Sequence, residues 1–132
     1  MADNSQARLD ESVRSWLSNL DTALADRNSA AAAGLFEEDG LWRDFVSFTW
    51  NLKTLEGRQQ IANMLDSVLE DVQPSAWTLA EPAAGDAGTT EAWITFETAA
   101  SRGWGHLRLR NGKAWTLLTT MQELKGHEEQ KG

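Results

Sequence analysis

The stretch TTEAWITFETAASRGWGHLRLRNGKAWTLLTTMQEL (residues 89–124) decides the fold. It divides into β-rich runs at 89–101, 104–110 and 113–123, separated by residues that favour turns. Asn111-Gly112 fits a two-residue type I′ hairpin, because both positions tolerate positive φ, and Arg102-Gly103 reads as a second turn of the same kind. The register set by these turns gathers Trp93, Glu97, Trp104, His106, Arg108, Trp115, Leu117 and Thr119 on one face. Ile94, Phe96, Thr98, Leu107, Leu109, Thr116, Leu118 and Thr120 fall on the other, smoother face, which is assigned to the concave, helix-covered side. A bulge in either hairpin would reverse that parity and turn the tryptophans inward.

Upstream of this meander a further strand is expected at 76–81, just after Pro74 stops a helical pattern of Ile61, Met64, Leu65, Val68 and Val72. In the run at 41–49, extended to Trp50, the period of two puts Trp42, Asp44, Val46, Phe48 and Trp50 on one face. Residues 29–38 read as a short alanine-rich helix capped by Asn28 and closed by Gly40. Residues 10–26 carry Val13, Trp16, Leu17, Leu20 and Leu24 at helical spacing, with Arg14, Ser18, Asn19 and Asp21 opposite. Helices first and a meander after them make an α+β domain: three N-terminal helices across a curved, mostly antiparallel sheet. One domain over 1–124 is expected, followed at 125–132 by a charged linker or frayed tail, KGHEEQKG.

With 132 residues, 41% of them hydrophobic, the chain can bury a core of its own. Its formal charge of −8 repels phosphate backbones, so nucleic acid is not an expected partner. No apolar run approaches a membrane span and residues 1–10 lack a signal-peptide core, so no membrane partner is expected either. The absence of cysteine rules out disulfides and thiolate metal sites and points to a reducing cytoplasm. The only histidines, His106 and His127, are too few for a histidine metal site. No serine or threonine has a histidine at a spacing that suggests a nucleophilic triad.

The order helix, short helix, strand, helix and long meander, with AGLFEEDGLWRDF leading into TLEGRQQIANML, resembles the nuclear transport factor 2-like (SnoaL-like) superfamily of cone-shaped domains. More narrowly, LWRDFVSFTWNLKTLEGR, TEAWITFET and GHLRLRNGKAWTLLTTMQELKGHEE resemble the N-terminal domain of bacterial and fungal flavin-containing monooxygenases. That resemblance implies an accessory or interaction role beside a flavin-binding body, an oxidoreductase using FAD and NAD(P)H, into which the KGHEE segment would lead. No GxGxxG motif occurs in these residues, so the chain is expected to hold no cofactor of its own. The alternative reading is a free-standing small-molecule-binding protein, or a cofactor-free isomerase or cyclase.

The wider resemblance implies a proton-transferring carboxylate inside the cone at Asp44, in a pocket lined by Trp16, Leu20, Trp42, Phe48 and Trp50 that would take a small apolar ligand. The oxyanion donors of the steroid isomerases would fall near Leu20 and Gly105, neither of which can donate from a side chain, and the chain contains no tyrosine. Asp44 is therefore read either as a base or as a carboxylate bonded to a backbone amide, to Arg43 or to an indole N–H. His106, beside Arg108 and Glu97, is read as a proton shuttle or as an interface residue. Trp93, Trp104 and Trp115 form an apolar patch on the outer face, with Arg108 expected to pair with Glu97 beside them. A second copy of the domain or a flavin-binding domain in cis is the expected cover.

Overall fold

A computed structural model of the chain describes residues 4–45, 52–86 and 88–124. Its elements in order are α1 (Asn4–Ala25), α2 (Ser29–Ala33), β1 (Phe36–Phe45), β2 (Leu52–Glu56), α3 (Gly57–Val72), β3 (Ser75–Leu79), β4 (Ala84–Asp86), β5 (Thr89–Glu97), β6 (Ser101–Arg110) and β7 (Lys113–Leu124). The described strands form one sheet in the order β2-β1-β7-β6-β5-β3, with β4 added at one end of β5. Only the β1–β7 pairing is parallel; the other pairings are antiparallel.

The apolar stripe of α1 does what its spacing requires: Val13, Trp16, Leu17, Leu20 and Leu24 are all buried. In α3, Ile61, Met64, Leu65, Leu69 and Val72 are buried in the same way, and the helix ends at Gln73, which adopts the left-handed conformation ahead of Pro74. These two stripes and the buried face of the sheet make one apolar cluster. Burying such stripes supplies most of the drive for folding, at roughly 25 cal/mol per Å² of apolar surface.

The second helix is shorter than its alanines suggest. Asn28 caps it through the Ala31 amide, as expected, but it closes at Gly34, and β1 begins at Phe36. The backbone here is claimed by the sheet: the Ala114 amide donates to the Leu35 carbonyl and Phe36 pairs with Ala114. Gly40, expected as a helix stop, instead lies where the β1–β7 register shifts, and a Cβ there would sit 3.0 Å from the Ala114 and Glu37 carbonyl oxygens.

Asn111-Gly112 forms the expected tight turn, with φ of 56° and 79°, and joins Arg110 to Lys113. The Arg102-Gly103 turn does not exist. Both residues lie inside β6, and the chain reverses at 98–101, where the Ala100 and Ser101 amides donate to Thr98 Oγ1. The Ala99 amide ties this turn to the Val72 carbonyl at the end of α3. Moving the turn by three residues slides the β5 partner of Arg108 from Glu97 to Glu91. The slide is an even number of positions, so the faces of β5 and β6 are unchanged.

In β7 the parity does reverse. Leu109 faces Ala114 but Arg108 faces Thr116, so Trp115 is the extra residue of a bulge. Beyond it Leu117 and Thr119 are buried on the concave side rather than outside, while Thr116, Leu118 and Thr120 are only partly covered rather than in the core.

Candidate functional site

Asp44 lies on the concave face, 1% exposed, one residue before β1 ends. The period of two buries Trp42 with it, and β7 brings Thr119 alongside as the partner of Asp44 in the parallel register. Trp42 Nε1 donates to Thr119 Oγ1 at 2.8 Å, and Thr119 Oγ1 donates to Asp44 Oδ1 at 2.7 Å. The direction of this relay is forced, because an indole N–H can only donate; the hydroxyl must accept from Trp42 and turn its own proton to Asp44. Buried polar groups joined in this way polarise one another more strongly than in water.

The apolar wall is aromatic. Phe36 stacks on Trp42 with ring centroids 5.7 Å apart, and Trp16 meets Phe36 edge-on at 5.7 Å while its indole N–H donates to the Leu35 carbonyl. Leu20 belongs to the same buried cluster. Trp16, Leu20 and Trp42 therefore fill interior space with their own bulk. Phe48 and Trp50, expected to line the same pocket, lie outside the described residues. No side chain donates at Gly105, where a Cβ would come within 2.2 Å of the Leu118 carbonyl oxygen.

The sequence reading missed Thr119, Phe36 and Lys53. Thr119 lies inside rather than on the outer face because Trp115 forms a bulge, and Phe36 opens β1 rather than continuing α2. Lys53 is the β2 partner of Asp44 and shares its face, while the adjacent pair Leu55 and Trp42 is buried. Between β2 and α3 a groove of about 470 Å³ opens on this side, lined in part by Lys53, Leu55, Gln60 and Met64.

The convex face carries the other expected residues. Trp93 and Trp104 are 38% and 37% exposed and stand 4.8 Å apart between centroids, with His106 packed 4.6 Å from Trp93. Burial holds His106 below the ordinary imidazole range; Glu91 opposes that shift and Arg108 adds to it. Arg108 pairs with Glu91 at 3.7 Å rather than with Glu97, which sits opposite Arg102. Trp115 is half-buried under the guanidinium groups of Arg108 and Arg110, at 5.7 and 5.1 Å, so it is shielded where Trp93 and Trp104 are open. Among the described residues no cluster of three or more His, Asp or Glu could hold a metal ion, and no helix is long and apolar enough to cross a membrane.

No protein-family model matches the sequence, and no curated protein does. Solved structures do match. A domain of unknown function with a cystatin-like fold from Nostoc punctiforme superposes with a TM-score of 0.70 at 18% identity, over 86% of this chain and 77% of that one. A ketosteroid isomerase-like protein from Erwinia carotovora atroseptica gives 0.68 at 13% identity, over 90% and 98%. A nuclear transport factor 2-like protein with a cystatin-like fold from Novosphingobium aromaticivorans gives 0.63 at 20% identity, over 92% and 91%. At these identities the likeness is one of architecture: the chain has the α+β, cystatin-like fold of nuclear transport factor 2-like proteins.

Proposed function

We propose that the protein binds a small molecule on the concave face, with Asp44 as its polar anchor, and that in a catalytic form of this role Asp44 takes a proton from the ligand. The observation that carries this reading is the directed relay from Trp42 through Thr119 to a buried carboxylate. A carboxylate held this way is a fixed acceptor, suited to an O–H, N–H or acidic C–H of a bound molecule. The ketosteroid isomerase-like neighbour supports the same role by its architecture.

The test uses 5-nitrobenzisoxazole, a carbon acid that needs no cofactor. A base removes its C–H proton, the C–H electrons form the nitrile, and the N–O bond opens to release a coloured phenolate. Turnover above the buffer rate is expected for the wild type, with a loss of roughly a hundred-fold or more in Asp44→Asn, the usual worth of a positioned base. Asparagine keeps an acceptor for Thr119, so the melting temperature should move little. Turnover that is unchanged in Asp44→Asn removes the base, and ligand binding without turnover leaves an anchor only.

A second reading, an interaction module, is favoured by the exposed pair Trp93 and Trp104. Indoles bury much area for few frozen torsions and dominate interface centres. The partner is a second copy of the domain, or a flavin-binding domain in cis as the sequence resemblance implies. Sedimentation across concentration is expected to show association that the double variant Trp93→Ser, Trp104→Ser loses. A wild type that stays monomeric throughout excludes the second copy, and an unchanged dimer in the variant moves the contact elsewhere.

A further inference from the structure

The groove between β2 and α3 has a one-sided polar lining. Gln60 uses its Oε1 to accept from the Glu56 amide, and Asn63 uses its Oδ1 to accept from Gln59 Nε2. With both carbonyl oxygens spent along the helix, each amide has its NH2 donors left to offer. Lys53 lines the same groove, and no carboxylate pairs with its ammonium among the described residues. Ser67 spends its hydroxyl proton on the Met64 carbonyl. The apolar lining comes from Leu55, Met64 and Val68, and the volume of about 470 Å³ lies in the range of small-ligand sites. Lys53 is the cross-strand partner of Asp44, so its backbone lies about one strand spacing, ~5 Å, from that of Asp44 on the same face of the sheet.

We propose that this groove binds the carboxylate of an apolar-bodied organic acid, with Lys53 Nζ pairing with the anion and the Gln60 and Asn63 amides donating to it. One ammonium matches one negative charge, and in a chain of net charge −8 a phosphate dianion would meet more repulsion than a carboxylate monoanion. The apolar body rests on Leu55, Met64 and Val68. The proposal deepens the reading of the concave face as a ligand site, giving that ligand a class and supplying at Lys53 a donor that Gly105 and Leu20 cannot.

The probe is 2-naphthoate, titrated by calorimetry into the full chain, with 2-naphthalenemethanol as its neutral isostere. The expected result is that naphthoate binds the wild type better than the alcohol and that Lys53→Met weakens naphthoate roughly ten-fold, as loss of a charge-assisted contact does. Lys53→Arg should restore most of the binding, and Asn63→Asp should weaken it by placing an anion in the groove. Both positions, Lys53 and Asn63, are exposed, and circular dichroism checks that each variant is folded. Naphthoate that fails to bind the wild type at millimolar concentration, or binds Lys53→Met and Asn63→Asp as well as the wild type, overturns the proposal. Asp44→Asn separates the two readings: binding kept there and lost in Lys53→Met places the anion in the groove. Binding lost in Asp44→Asn and kept in Lys53→Met overturns the groove and leaves the Asp44 site standing.

Discussion

Gly105→Ala is expected to cost about 3 kcal/mol or more, at the upper end of overpacking penalties, and so to lower the melting temperature by roughly 10 °C. The reason is a single distance: a Cβ on Gly105 would stand 2.2 Å from the Leu118 carbonyl oxygen, which is backbone of the neighbouring strand and cannot swing aside. Gly105 pairs with Ile94 on one side and Thr119 on the other, so a shift there moves the strand that carries Thr119 to Asp44. Gly103 repeats the device two residues earlier, where the Phe96 ring lies 2.5 Å from the place a Cβ would take and stacks on Trp77. Gly34→Ala is the control. Its Cβ would meet only helix carbonyls at 3.4 Å in an ordinary helical conformation, so it should be neutral or stabilise by up to ~1 kcal/mol. Thermal unfolding of the pair checks the argument; equal melting temperatures would mean that the β6–β7 backbone yields where the geometry says it cannot.

The same strands show what local pattern can and cannot say. The faces of β5 and β6 were legible because the period of two survives a turn misplaced by an even slide. The pairing was not, because Thr98 and Ser101 build their turn from side-chain hydroxyls and from an anchor to the Val72 carbonyl, a residue far away in sequence. Past Trp115 even the face was lost, since one extra residue reverses every side chain after it and nothing in KAWTLLTT announces the bulge. At the candidate site strand alternation put Asp44 and Trp42 on one face, and the superfamily resemblance singled that face out as the interior of the cone. Thr119, which completes the relay, lies on the misread side of the bulge. Lys53 comes to Asp44 only through the β1–β2 register, a tertiary fact that five residues of edge strand do not encode. The convex pair Trp93 and Trp104 was legible, and the charge partner of Arg108 was not, for the same reason that the turn was misplaced.

Trp42→Ala is expected to remove about 3–5 kcal/mol, the range for emptying a buried aromatic site, which is a third or more of the stability of a domain near the middle of the usual range of roughly 5–15 kcal/mol and all of it at the lower end. Trp42 is fully buried, stacks on Phe36 and holds the Thr119 hydroxyl, so its loss opens a cavity between α1, β1 and β7 and frees a polar group inside it. Trp42→Phe divides those two contributions. A phenyl ring keeps most of the packing on Phe36 but has no N–H, so Thr119 Oγ1 loses its donor at a cost of about 1–2 kcal/mol. The hydroxyl is then no longer compelled to point at Asp44. Denaturant unfolding of both variants, read beside binding or turnover at Asp44, checks the division. Trp42→Phe should fold and show a weakened Asp44 site, whereas a Trp42→Phe with wild-type activity would mean that the relay is structural packing and that Asp44 acts without it.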